Sequence, residues 1–236
     1  GPMTVAGDTP LAPRDRVVLA ALVVARGSTV TADTLADALW NGSGPPASWS
    51  NVLQGSVVRI RKSLGATSIE TDRKGYRLVT SPDDIDARRF EHALMRGREL
   101  LATGEPDRAM YTADEALALW RGRPLPELDE WEPGRIEATR LTELQLEAEE
   151  LRIEAALRAG RHREVLADAS AAVAREPLRE HRWAVLALAQ HQAGRQGDAL
   201  RTLHEARRVL VNQLGVDPGD EIVALEAAIL RHDPTL

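Results

Sequence analysis

One spacing constrains this chain more than any other feature. Ala159-Gly160-Arg161 recurs as Ala193-Gly194-Arg195, 34 residues later, and Leu166 and Ala172 recur as Leu200 and Ala206 at the same offset. That is the period of stacked two-helix hairpins, each of which buries a face it cannot bury alone. A weaker copy lies earlier, in ATGEPDRAMYTADEALALW. Its Gly104 and Ala116 precede Gly160 and Ala172 by 56 residues, one period plus an insertion of 22. The insertion is nearly Trp120 to Leu141: a proline-rich loop running into a long amphipathic helix through Leu144, Ala148, Leu151 and Ala155. Trp120, Trp131 and Trp183 are expected to fill gaps between these hairpins.

The first 80 residues follow another plan. LAPRDRVVLAALVVARG reads as a helix from Pro13 with Val18, Leu19, Leu22 and Val23 on its apolar side, ended by Gly27. A second short helix enters at Thr31 and closes at Asn41-Gly42, and a Gly/Pro loop leads to a longer third helix ending at Gly65. SIETDRKGYRLVT then reads as a β-hairpin. Three helices and a hairpin are the order of a winged helix. The expected fold class is mainly α, a winged helix-turn-helix over residues 4–82 followed by an all-α helical-repeat domain over 83–236.

Charge separates the two parts. Residues 1–80 carry a net +3 and residues 81–236 a net −9 within a total of −6. The only lysines, Lys62 and Lys74, lie with Arg59, Arg61, Arg73 and Arg77 against Glu70 and Asp72 alone. Such a local patch suits phosphate neutralisation, while an acidic remainder discourages indiscriminate coating of DNA; an ordinary solvated face has the same composition. In the third helix Leu53, Val57, Ile60 and Leu64 form one stripe that must face a core. The same periodicity puts Asn51, Gly55, Val58, Arg59 and Lys62 opposite, with Gln54 and Arg61 on the flanks. Amide and guanidinium groups beside a small residue are what a helix needs to approach base edges in the major groove, although a solvent-facing side with an incidental glycine reads alike.

The run from Pro13 to Thr80 resembles the OmpR/PhoB type of winged helix: ALW closes the second helix, VVRIRKSLG matches the recognition helix, and KGYRLV matches the strand after the wing, with a wing one residue shorter than usual. The resemblance implies that Arg59 contacts bases or a groove, that Arg61 and Lys62 contact phosphates, and that Thr71 and Arg73 occupy wing positions, with Lys74 and Arg77 beside them. It also implies a small N-terminal sheet, for which only TVAGDTPL is present. DARRF, ALALWRG, EPLREHRW and LGVDPG in the second part make the whole, over residues 11–235, similar to the antibiotic-regulatory (SARP) and EmbR-like family of actinobacterial activators. That resemblance implies a tetratricopeptide-like bacterial transcriptional activation domain, binding to promoter direct repeats as double-stranded DNA, self-association on DNA, and engagement of RNA polymerase. In this type of winged helix the loop before the third helix meets polymerase, so Asn41, Ser43, Ser48 and Trp49 are the candidates; a packing role under the Pro45-Pro46 loop is the other reading of Trp49.

Catalysis is not expected. The phosphate loop, HExxH, GxSxG and strand-linked GxGxxG signatures are missing, and no cofactor or metal is implied. The six histidines show no paired spacing to carboxylates beyond chance, and His181 and His204 read as packing or surface residues. With no cysteine and no apolar run near the ~18 residues of a membrane span, a cytoplasmic, nucleoid-associated protein is expected, with no membrane partner. Gly1-Pro2-Met3 reads as the remnant of a cleaved tag, leaving further domains or a ligand beyond this chain open. The competing function is an interaction module of a larger signalling protein, whose helical domain binds a peptide, ligand or effector domain. A further expectation is that replacing both Arg59 and Lys62 with alanine abolishes specific DNA binding while leaving the helical content and melting temperature nearly unchanged.

Overall fold

The computed structural model describes residues 1–5, 11–41 and 43–236. Its elements run α1 (Pro13–Val24), α2 (Ala32–Trp40), α3 (Trp49–Leu64), β1 (Ile69–Thr71), β2 (Tyr76–Leu78), α4 (Asp86–Ala102), α5 (Pro106–Ala118), α6 (Glu132–Arg158), α7 (Leu166–Arg175), α8 (Glu180–Gln192), α9 (Gln196–Leu214) and α10 (Asp220–Leu230). Single 3-10 turns lie at Pro82–Asp84 and Pro126–Leu128. The expected class is what is found: mainly helical, with three helices and a hairpin followed by helices alone. The N-terminal strand expected of TVAGDTPL falls largely on residues 6–10, outside the described residues.

The chain packs as two compact units, one formed by Gly1–Glu91 with Ala118–Gln145, the other by His92–Leu117 with Leu146–Leu236. Packing therefore does not follow a single cut at residues 82 and 83. The reason lies in α1, whose run Val17 to Val24 has no polar side, and a helix apolar all round must be covered all round. Val18, Leu19 and Leu22 pack with Leu35 of α2, Leu53, Val57 and Ile60 of α3, and Ile69 and Leu78 of the hairpin. On its other side Val17, Ala20 and Val24 pack with Leu125, Leu128 and Leu141. Trp120 and Trp131 belong to this same cluster, and Trp120 meets Phe90 edge to face with centroids 5.3 Å apart. These two tryptophans thus serve the first unit, contrary to the expectation that they fill gaps between repeat hairpins.

Local signals set the element ends. Thr31 caps α2 by accepting from the Thr34 N–H at 3.1 Å, and Asn41 ends it in the left-handed region at φ 47°. β1 and β2 pair antiparallel with Ile69 opposite Leu78, and Tyr76 bridges back to Val30. Gly75 is required there: its φ is +153°, and a Cβ would lie 2.0 Å from the Val30 carbonyl oxygen.

In the second unit the repeat is visible as identical turns. Gly104, Gly160 and Gly194 have φ of 78°, 77° and 80°. Each ends its helix with the same pair of bonds, from the glycine N–H and the next N–H to carbonyls three and five residues back (Leu157 and Ala156 for the middle copy). Ala116, Ala172 and Ala206, the equivalent positions of the three copies, are all buried, where a small side chain lets neighbouring helices close. Trp183 does fill this core, donating from Nε1 to the Pro177 carbonyl at 2.8 Å. Arg182 is 2% exposed and is neutralised by Glu150 at 2.7 Å and Glu149 at 3.6 Å, with the Ala172 carbonyl accepting from Nη1. His181 and His204 lie at the surface but pair with Glu221 and Glu226 of α10, at 2.8 and 3.0 Å, partners too distant in sequence for spacing to reveal. Among the described residues no group of His, Asp and Glu is arranged to hold a metal, and no helix is long and apolar enough to cross a membrane.

Candidate nucleic-acid interface

The site is built on α3. Leu53, Val57 and Ile60 are buried, each contributing roughly 1.5 to 3 kcal/mol to holding the helix down. Leu64, the fourth residue of the predicted stripe, is 38% exposed because the helix runs past the core at its last residue. Asn51, Gln54 and Lys62 are exposed on the opposite side, together with Val58 at 62%. Gly55 is half-buried among them. Arg61 and Lys62 also sit in the last turn, where positive charge complements the helix dipole.

Four of the predicted contact residues, Arg59, Arg61, Thr71 and Arg77, have side-chain partners within the protein. Arg59 donates from Nε and Nη2 to Asp15 of α1 at 2.8 and 2.7 Å, and from Nη2 to Ser56 Oγ at 3.1 Å. Asp15 is 2% exposed. Burial opposes its ionisation, but the bonds from Arg59 and Ser56 and the Arg59 charge prevail and hold its carboxyl below the usual carboxylate range. Removal of Arg59 would strand a buried carboxylate, so the expectation of an unchanged melting temperature is withdrawn. Arg61 donates to the Ile69 carbonyl from Nε at 2.9 Å and Nη2 at 2.6 Å, and to Thr71 Oγ1 at 2.8 Å. It ties the hairpin to α3, and a separate bond from Nη2 engages the Thr71 hydroxyl. Arg77 pairs with Glu70 across the strands.

The turn between the strands presents Arg73 and Lys74, both exposed. Its shape is set by Asp72, whose Oδ1 accepts from the N–H groups of Lys74 at 2.6 Å and Gly75 at 3.0 Å. Those bonds, the Lys74 one foremost, lower its pKa. Sequence reasoning missed both aspartates. Asp72 had a readable signal, an aspartate three residues before a turn glycine; Asp15 had none, since its partner lies 44 positions away.

The residues proposed to meet polymerase divide. Ser43 and Ser48 are exposed, whereas Trp49 is half-buried against the first unit's core. Asn41 is exposed and caps α2 while donating from Nδ2 to Glu130 at 3.0 Å.

Residues 85–230 match the family model of the bacterial transcriptional activator domain. The chain is 36% identical to the regulatory protein DnrI of Streptomyces peucetius over 96% of its length and 87% of that protein. It is 33% identical to the regulatory protein AfsR of Streptomyces griseus and to the transcriptional regulatory protein EmbR of Mycobacterium tuberculosis, but spans only 23% and 58% of those proteins. Among solved structures, EmbR of Mycobacterium tuberculosis in complex with a low-affinity phosphopeptide has a TM-score of 0.89 at 32% identity, over 96% of this chain and 61% of that one.

Proposed function

Because the chain belongs to the SARP family of actinobacterial transcription regulators, a family of regulators and not of enzymes, we propose that it activates transcription by binding promoter DNA through α3 and the β1–β2 turn. The observation that carries this reading is the exposed set Asn51, Gln54 and Lys62 on α3 with Arg73 and Lys74 on the turn, in a chain whose net charge is otherwise acidic. Asn51 and Gln54 offer amides to base edges; Lys62, Arg73 and Lys74 neutralise phosphates or enter a groove. Along the chain, 4–82 is the DNA-binding segment and 83–236 the regulatory one, and the protein works on the nucleoid in the cytoplasm.

One winged helix reads too few base pairs to compete with a genome. Two copies therefore bind direct repeats head to tail, with half-sites about 10 to 11 base pairs apart, one turn of the duplex. The acidic remainder disfavours pairing in free solution. The loop bearing Ser43 and Ser48 faces polymerase.

The test is duplex binding across a salt series. The log–log slope should be steep and should lose about 0.9 for each phosphate contact removed, as by Lys62→Ala or Lys74→Ala. Inserting about five base pairs between half-sites turns one copy to the other side of the duplex and should abolish cooperativity. Substituting Ser43 and Ser48 together should lower transcription while leaving affinity unchanged. A flat salt response would remove the DNA reading and restore the competing one, an interaction module for a peptide, ligand or effector domain.

A further inference from the structure

The pair formed by Asp15 and Arg59 is not needed for an arginine to reach DNA, and it restricts how that arginine can do so. A guanidinium carries five N–H groups. Two of them are engaged by Asp15 and a third by Ser56 Oγ, through Nε and Nη2 only. The two that remain belong to Nη1, for which no acceptor is found among the described residues, and the Arg59 side chain is 53% exposed. Gly55 gives that nitrogen room, since a Cβ at position 55 would lie 3.3 Å from Nη1.

An arginine reads guanine by presenting two nitrogens side by side to O6 and N7. Here one edge, Nε with Nη2, faces a carboxylate 2% exposed, and on the other edge Nη2 is directed to Ser56. We propose that Asp15 is a specificity-determining residue, which by holding Arg59 through Nε and Nη2 leaves it a single-nitrogen donor toward DNA, suited to a phosphate oxygen and not to bidentate base recognition. The inference rests on the reading of α3 as the DNA-facing helix. It assigns sequence discrimination to Asn51 and Gln54 and backbone contact to Arg59.

The experiment is the base-preference profile obtained by selection from a randomised duplex library with the wild-type chain, Arg59→Lys and Asp15→Asn. Lysine keeps the charge and a bond to Asp15 but has one nitrogen and no planar fork, so it cannot reproduce a two-nitrogen contact. Arg59→Lys should therefore select the same sequence as wild type. Asp15→Asn, which frees the guanidinium, should gain a guanine preference at one position, roughly 5- to 150-fold over the worst base. A guanine preference present in wild type and lost in Arg59→Lys would overturn the proposal, as would a folded Asp15→Asn with the wild-type profile. If Asp15→Asn fails to fold, Arg59→Lys decides alone. A wild-type chain that binds no duplex in a salt-dependent way brings down the DNA reading itself; wild-type selection with an altered Arg59→Lys profile removes only the role given to Asp15.

Discussion

The two compact units are held by different kinds of contact. In the second, order comes from short-range repetition: three glycine turns of one conformation, three buried alanines at one position of the repeat, and helices that meet their neighbours in sequence. In the first, the decisive contacts join distant segments. Asp15 reaches Arg59, Val30 bridges Tyr76, Asn41 meets Glu130, and the chain from Leu125 to Leu141 covers the far side of α1. The difference implies that the repeat turns bear substitution better than the α3 and hairpin face, where contacts between distant residues depend on individual side chains.

The comparison predicts that the most damaging change lies at Gly75. Gly75→Val drives a Cβ into the Val30 carbonyl from a backbone that side chains rarely adopt, and should cost on the order of 5 kcal/mol in chemical denaturation. A wild-type midpoint would show that the bridge to Val30 does not hold the hairpin. Next comes a buried site where the second unit also relies on long-range charge. Arg182→Ala leaves Glu149 and Glu150 with only the more exposed Arg175 and Arg179 and should cost about 3 kcal/mol, the low end for a broken buried pair.

Arg59→Ala should cost about 1 to 3 kcal/mol, less than the loss of Arg182 because Arg59 is half exposed, and more than a surface ion pair because Asp15 is not. A null effect in thermal melts would mean that water replaces the guanidinium at Asp15. The repeat turns should be milder still: Gly160→Ala and Gly194→Ala meet no atom within 4 Å, so each pays only the left-handed conformation, about 1 kcal/mol. Unequal costs at these two glycines would break the equivalence of the copies.

The smallest effect expected is on pH. Asp15, Glu91 and Glu137 all have lowered pKa values, burial being opposed in each case by arginine bonds that outweigh it. For a carboxylate held below its unfolded value, the stability gained is complete above that value, about 4, and is lost as pH falls through the folded pKa. Acid melts should therefore steepen below about pH 4, and Asp15→Asn should flatten that limb slightly. An unchanged limb would mean that Glu91 and Glu137, tied to Arg140 and Arg26, carry the dependence.

Sequence alone determined the element order, the helix ends and the repeat, because each depends on residues within a few positions: Thr31 before α2, Asn41 after it, and the glycines at the three repeat turns. It also determined which side of α3 is apolar, since 3.6-residue periodicity is a local property. Only the tertiary structure decided what the exposed arginines do. Arg61 and Lys62 are adjacent and equally basic in sequence, yet one ties α3 to β1 while the other stays exposed. The run of apolar residues in α1 demanded cover on every side, but which segment supplies it, and that Trp120 and Trp131 come with it, follows from complementary shape across a hundred residues. The physical reason is the same in both cases. Periodicity and turn chemistry act through the backbone nearby, whereas a buried charge or an uncovered apolar face is satisfied by whichever group the folded chain brings within reach.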